Sequence, residues 1–172
     1  MRGINPQMKI SLIAAVGRNN ELGANNELLW HIPEDFQWFK SKTIGKTMVM
    51  GRNTMLSLKK PLKNRENWVL TSRPEDIIEG FVGFSSWDSI FKKAIELNLE
   101  ELMIIGGANI YNQAMEFSNE LILTHIDQEF PKADVFFPKI DPLKWEYSEQ
   151  KSSSQTEDSD KYTYHFRIYR KL

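Results

Sequence analysis

Three apolar runs in this chain each stop at a glycine, and helical patterns lie between them; this alternation limits the fold more than any other feature. Met8 to Val16 reads MKISLIAAV and ends at Gly17, Thr47-Met-Val-Met50 ends at Gly51, and Glu101-Leu-Met-Ile-Ile105 runs straight into Gly106-Gly107. Continuous apolar runs of this length read as strands buried on both faces. Helical patterns follow at 33–43, 51–60, from Ser86 to 99, and 108–117. Further strands are expected at Asn67–Thr71, Phe81–Phe84, Glu120–Glu129 and Trp145–Glu149. At the end of the chain Tyr162, Tyr164, Phe166 and Ile168 alternate with Thr163, His165 and Arg167, the pattern of a half-buried strand. The polar, Ser-rich stretch 151–161 before it therefore reads as a long hairpin loop, although its composition alone would suit a disordered linker. Strands alternating with helices build an α/β fold, a mostly parallel sheet with helices on both faces. A C-terminal antiparallel ribbon makes that sheet mixed.

The 172 residues fit one domain, expected to span 8–172, with Met1–Gln7 as a leader or vector-derived segment. Net charge is −1, from 22 basic and 23 acidic residues, so no global basic field is available for nucleic acid or an anionic membrane. No stretch reaches the ~18 apolar residues of a membrane-spanning helix. The chain has no cysteine, which excludes disulfides, cysteine–zinc sites and thiol catalysis. His31, His125 and His165 are scattered, so no histidine-cluster metal motif is present. These limits lead to the expectation of a soluble, cytoplasmic domain without a structural metal.

Ligands of open α/β sheets sit at the carboxyl ends of the strands. That directs attention to the loop 17–31 and the turns at Gly51, Thr71 and Gly106. The loop shows neither strand nor helix period, and a loop of ~15 residues is often a lid or binding segment. Leu22, Leu28, Leu29 and Trp30 are costly to leave in water, so the loop is expected to close on something.

Pro33 starts a helix whose first turn holds Glu34 and Asp35 and whose inner face holds Phe36 and Phe39. An acid in the first turn stabilises any helix. Glu34 already does so, however, and a second carboxylate on an aromatic face needs a partner. A planar heterocycle offering two N–H groups in a fork is one such partner. Gly51-Arg-Asn-Thr54 follows a strand and opens a helix, an arrangement that suits an anion. Thr71-Ser-Arg-Pro74 places Ser72 and Arg73 for a phosphate monoester. Each of these turns reads equally as solvated surface. Gly106-Gly107 permits either close backbone approach to a ligand or a simple tight turn, and it matches neither the G-x-G-x-x-G fingerprint nor the phosphate loop. Arg65 suits a carboxylate clamp or an exposed surface. His125, inside a strand, reads as a hydrogen-bonded structural residue.

Taken together, Ser11-Leu-Ile-Ala-Ala15, Leu22-Gly23, Trp30-His-Ile-Pro-Glu-Asp35, Trp38-Phe-Lys40, Val49-Met-Gly-Arg-Asn-Thr54, Pro61-Leu62 with Arg65, Leu70-Thr-Ser72, Ile104-Ile-Gly-Gly107, Tyr111 and Leu123-Thr-His-Ile126 resemble bacterial dihydrofolate reductase. The resemblance runs from about Met8 to the C-terminus. It implies a mixed eight-stranded sheet and NADPH-dependent reduction of 7,8-dihydrofolate to tetrahydrofolate by a monomer that also binds antifolate inhibitors. Asp35 falls on the family's only acidic group in the pterin pocket. It would bind the pterin N–H and 2-amino group and promote protonation of N5, with water admitted near Leu28. Trp30 matches the residue that holds an ordered water beside the pterin, and the resemblance implies Asp35, Trp30, Leu28 and Tyr111 as the catalytic residues.

The resemblance also implies a folate pocket of Ile13, Ala15, Phe36, Phe39, Leu58, Leu62, Ile105 and Thr124, with Arg65 on the glutamate α-carboxylate. Cofactor contacts fall on Ala15, Leu22, Gly51, Arg52, Asn53, Thr54, Leu70, Thr71, Ser72, Arg73, Gly106, Gly107, Ala108, Asn109, Ile110 and Tyr111. Among these, Gly106-Gly107 matches the family's non-proline cis peptide, and Arg52, Thr54, Ser72 and Arg73 match the phosphate sites. Residues 17–31 match a mobile lid, and Asp134 matches a loop position that supports one lid state. Leu29 stands where many members have proline, and Asn109 where some have an arginine for the 2′-phosphate. A same-fold pyrimidine reductase would lack the Trp30 and Asp35 pairing and the Arg65 clamp. A non-catalytic NADPH-binding module would have no use for Asp35.

Overall fold

The first apolar run becomes β1 (Lys9–Val16), in the interior of a sheet, in a computed structural model that describes residues 8–24, 29–153 and 162–172. It pairs in parallel with β6 (Glu101–Gly106) on one side and β7 (Glu120–Ile126) on the other. Outward from β6 lie β3 (Thr47–Gly51), β4 (Glu66–Leu70) and β5 (Val82–Phe84), all parallel. Beyond β7 come β10 (Tyr164–Lys171) and β9 (Trp145–Ser152), antiparallel. The order β5-β4-β3-β6-β1-β7-β10-β9 gives eight strands, mixed as expected.

Two layers of helices cover the sheet. α1 (Pro33–Thr43) and α2 (Arg52–Leu58) send Trp38, Phe39, Met55 and Leu58 into a cluster with Ile13, Met48, Met50, Met103 and Ile122. On the opposite face α3 (Trp87–Glu96) and α4 (Ala108–Ala114) bury Ile90, Phe91, Ala94, Ile110, Tyr111 and Ala114 against Leu12, Val49, Ile104 and Leu121. Met48, Val49 and Met50 are fully buried, which explains their apolar run: alternate side chains serve alternate layers. Each such side chain contributes about 1.5–3 kcal/mol.

Local chemistry sets the helix ends. Pro33 begins α1 behind Ile32, which offers no side-chain cap, and Gly45 at φ 75° follows its end. α2 stops earlier than its sequence pattern suggests, because Lys59 adopts a left-handed conformation. Ser86 and Ser89 form a reciprocal capping box at the start of α3. The last turn expected of α4 is a 3-10 turn, Met115–Phe117.

Two sequence expectations are corrected. The segment after β1 does contain a strand, β2 (Glu21–Gly23), which pairs antiparallel with β8 (Val135–Phe136). And β7 stops at Ile126 instead of reaching Glu129. The Gln128 amide turns back to the Ile126 carbonyl at 2.8 Å, while the Gln128 carbonyl accepts from Arg18 N at 2.9 Å.

Candidate active site

All six parallel strands end on one edge. Gly17, Gly51, Thr71 and Gly106 meet there, where a ligand of this fold is expected. On the face covered by α1, Asp35 turns toward the sheet and Oδ1 accepts the Thr124 hydroxyl at 2.7 Å. Thr124 is buried in β7 and paired in register with Ala15 of β1. Burial raises the pKa of Asp35 above the ordinary carboxylate range, and the Thr124 hydrogen bond opposes part of that rise. Tyr111 approaches from the other layer. Its hydroxyl donates to the Ile13 carbonyl at 2.6 Å, and burial together with the Asp35 charge holds the phenol protonated.

Beside Asp35 the wall is apolar. Ile13, Phe39, Leu58, Leu62 and Ile105 fall in one cluster. Trp30 is buried in the adjoining one, its ring 5.0 Å from Phe130, and Ala15 packs there too. Phe36 differs from the sequence picture of a wholly inward aromatic face. It is 45% exposed, with its ring 5.4 Å from His31. At the far end of the wall Arg65 makes no ion pair among the described residues. Its Nε donates to the Lys63 carbonyl and one Nη to Thr43 Oγ1 at 3.1 Å.

The other half of the edge suits an extended, phosphate-bearing ligand. Gly106-Gly107 is a cis peptide, with Gly106 at φ 127°. A Cβ on Gly106 would lie 3.2 Å from Tyr111 Oη, and one on Gly51 would lie 2.9 Å from Ile110, so neither position admits a side chain without displacement. α2 and α4 both start at this edge, and neither has a side-chain cap on its first amides. Thr54 is half-buried, with Oγ1 3.7 Å from the Cβ position of Gly107. Thr71 is buried, Leu22 and Leu70 are half-buried, and Asn53, Ser72, Arg73 and Asn109 are exposed. Ala108 lies half-buried at the start of α4. Arg52 and Arg73 both reach Asp76.

Leu28 lies outside the described residues, as do 1–7, 25–27 and most of the polar hairpin loop. Residues 17–24, the described start of that loop, are anchored. The Asp134 amide donates to the Gly23 carbonyl at 3.0 Å, which puts Asp134 against that segment. Sequence reasoning missed several supporting residues. Glu21 is buried and accepts from the Asn19 and Phe130 amides, each at 2.5 Å, tying the segment after β1 to the loop after β7. Asn67 is buried and holds the Leu62 amide and the Leu62 and Arg65 carbonyls, bracing the turn that carries Arg65. Asp76, which meets Arg52 and Arg73, is another such residue. An acid or amide in a short polar stretch carries no signal until its distant partner is known.

Comparison with known proteins identifies the family of the chain. The family model described as dihydrofolate reductase matches residues 9–171. A dihydrofolate reductase of Buchnera aphidicola subsp. Acyrthosiphon pisum is 42% identical over 166 residues, 94% of this chain and 98% of that protein. One from Neisseria meningitidis serogroup B is 38% identical over 158 residues, 91% and 96% of the two chains. Among solved structures, dihydrofolate reductase from Enterococcus faecalis complexed with NADP(H) and RAB-propyl superimposes with a TM-score of 0.85. It is 30% identical and covers 96% of this chain and 97% of its own. By sequence and by fold, the chain belongs to the dihydrofolate reductase family.

Proposed function

We propose that this chain uses Asp35 as the acidic group of its pterin pocket while it reduces 7,8-dihydrofolate to 5,6,7,8-tetrahydrofolate with NADPH. The observation that carries the assignment is the Asp35 carboxylate held by Thr124 on an apolar wall, with its affinity for a proton raised. Thr124 occupies one lone pair of Oδ1, which leaves the rest of the carboxylate for the forked N–H groups of a pterin. Ile13, Ala15, Phe39, Leu58, Leu62 and Ile105 form an apolar surface for the flat ring and the benzoyl group, and Phe36 at the rim is available to be covered by the ligand. Arg65, braced by Thr43 and the Asn67-bound turn, takes the glutamate α-carboxylate with its planar fork.

The residues at the other half of the edge fit NADPH. Gly51, Gly106 and Gly107 let the backbone come close to it, with Leu22, Leu70, Ala108, Ile110 and Tyr111 around them. Arg52, Asn53, Thr54, Thr71, Ser72, Arg73 and Asn109 lie where its phosphates and ribose would run. When bound, NADPH supplies the hydride that passes from nicotinamide C4 to pterin C6. The chain's own part is to position the two rings and to exclude bulk water. Asp35 fixes the pterin and promotes delivery of a proton to N5 through water, and Trp30 holds a water next to the ring. Tyr111, with its phenol proton held by the Ile13 carbonyl, orients the strand end and does not titrate.

The reading takes the chain to act as a monomer. Antifolate inhibitors that carry the same N–H fork bind the same cleft. No helix among the described residues is long and apolar enough to cross a membrane. Cytoplasmic residence suits the substrate and the cofactor. The direct test is the loss of NADPH absorbance on addition of dihydrofolate. Rapid NADPH oxidation, slower with NADH, is the expected result. Binding of NADPH without turnover would overturn the assignment.

A further inference from the structure

Asp76 stands between Arg52 and Arg73, two of the residues proposed to lie along the cofactor's phosphates. The turn after β4 folds back so that the Asp76 amide bonds to the Arg73 carbonyl at 3.0 Å. Arg73 is itself set by its amide bond to Thr71 Oγ1 at 3.2 Å. From α2, Arg52 sends one Nη to the Asp76 carbonyl and the other to Asp76 Oδ2 at 3.1 Å. Arg73 Nη1 lies 3.8 Å from the same Oδ2. Among the described residues Asp76 is the only ion-pair partner of either arginine.

We propose that Asp76 is a specificity-determining residue that weakens the grip of Arg52 and Arg73 on the 2′-phosphate, and so limits the preference for NADPH over NADH. This rests on the proposed cofactor site, with those two arginines taken to face the 2′-phosphate. A carboxylate oxygen and a phosphate oxygen want the same guanidinium N–H groups. To take the phosphate, Arg52 and Arg73 must release Oδ2 or share it with a dianion, and both the broken pair and the like-charge repulsion weaken binding. The position of Arg52 does not depend on the carboxylate alone, because its second Nη rests on the Asp76 backbone carbonyl, which any substitution retains. Asp76 is more than half exposed, so the effect is modest and screened by salt.

The test is Asp76→Asn, with equilibrium binding of NADPH, NADH, adenosine 2′,5′-bisphosphate and 5′-AMP. Both 2′-phosphorylated ligands are expected to bind about five- to tenfold tighter, with the gain fading at high salt. NADH and 5′-AMP are expected to stay within about twofold, and release of NADP+ to slow by a factor similar to the gain. Glu75→Gln makes the same charge change in the same turn and is expected to do nothing of the kind. Weaker binding of the 2′-phosphorylated ligands would make Asp76 a positioning group and overturn the proposal. So would an equal shift for all four ligands, or the same tightening from Glu75→Gln. Arg52→Gln tests the underlying assignment separately. If that variant keeps the full preference for NADPH over NADH, the phosphate site itself is misplaced, whatever Asp76→Asn does.

Discussion

The Thr124 hydroxyl donates to Oδ1 of Asp35 across 2.7 Å, joining β7 to the first turn of α1. The bond favours the charged carboxylate, whereas burial favours the protonated one and dominates. Thr124→Val removes only the first influence. The pKa of Asp35 is then expected to rise further, moving the acid-to-base transition in the pH profile of kcat/KM upward, and KM for dihydrofolate is expected to rise about tenfold. Thr124→Ser, which keeps the hydroxyl, is expected to stay near wild type. An unshifted profile in the valine variant would show that the bond does not control the carboxylate.

His125 bears on stability, on the sheet face away from Asp35 and Thr124. Its Nε2 lies 2.8 Å from the Tyr169 hydroxyl, and burial, with Arg167 and His165 nearby, pushes its pKa down to about 4. The unfolded chain binds this proton at about pH 6.5, before the folded chain does. The contribution is therefore complete above that pH and is lost as pH falls toward 4, about 2–3 kcal/mol in all. Denaturant unfolding from pH 7 to pH 4 is expected to show this loss, with a flatter curve for His125→Gln. Identical slopes in both proteins would place the loss elsewhere.

Arg65 has a planar fork that a lysine cannot reproduce. Arg65→Lys is expected to raise KM for dihydrofolate roughly tenfold or more, with KM for NADPH unchanged. A dihydropterin without the glutamate tail is the control, and its kinetics are expected not to change. A parallel loss with that substrate would mean that Arg65 acts on the fold and not on the carboxylate.

Much of this could be read from the chain because the signals were local. The runs at 48–50 and 102–105 are apolar throughout, as strands covered by two helical layers must be, and Asp35 stands out because Glu34 already serves the helix dipole. What escaped was not local. β2 and β8 have three and two residues, too few for a period. Glu21 meets the Phe130 amide from 109 positions away, and Asp76 meets Arg52 from 24. Phe36 shares an apolar wheel position with Phe39, yet the cluster that buries Phe39 leaves it half in solvent.

Glu21 gives that escape a measurable consequence. Glu21→Gln replaces one acceptor oxygen by an amide group, so either the Asn19 or the Phe130 N–H loses its partner, at a cost of about 1–3 kcal/mol. Hydrogen exchange is expected to quicken at those two amides and through 17–24, while the amides of β3 keep their protection. Unchanged exchange at Asn19 and Phe130 would mean that other contacts hold this segment.

The assignment of Asp35 is tested most directly by single-turnover hydride transfer from NADPH to dihydrofolate across pH, in the wild type and in Asp35→Asn. At neutral pH the variant is expected to lose about a hundredfold or more in rate, with NADPH affinity little changed. The gap is expected to narrow as pH falls and solvent supplies the proton that the carboxylate no longer promotes. Wild-type hydride transfer by Asp35→Asn at neutral pH would contradict the role given to this carboxylate.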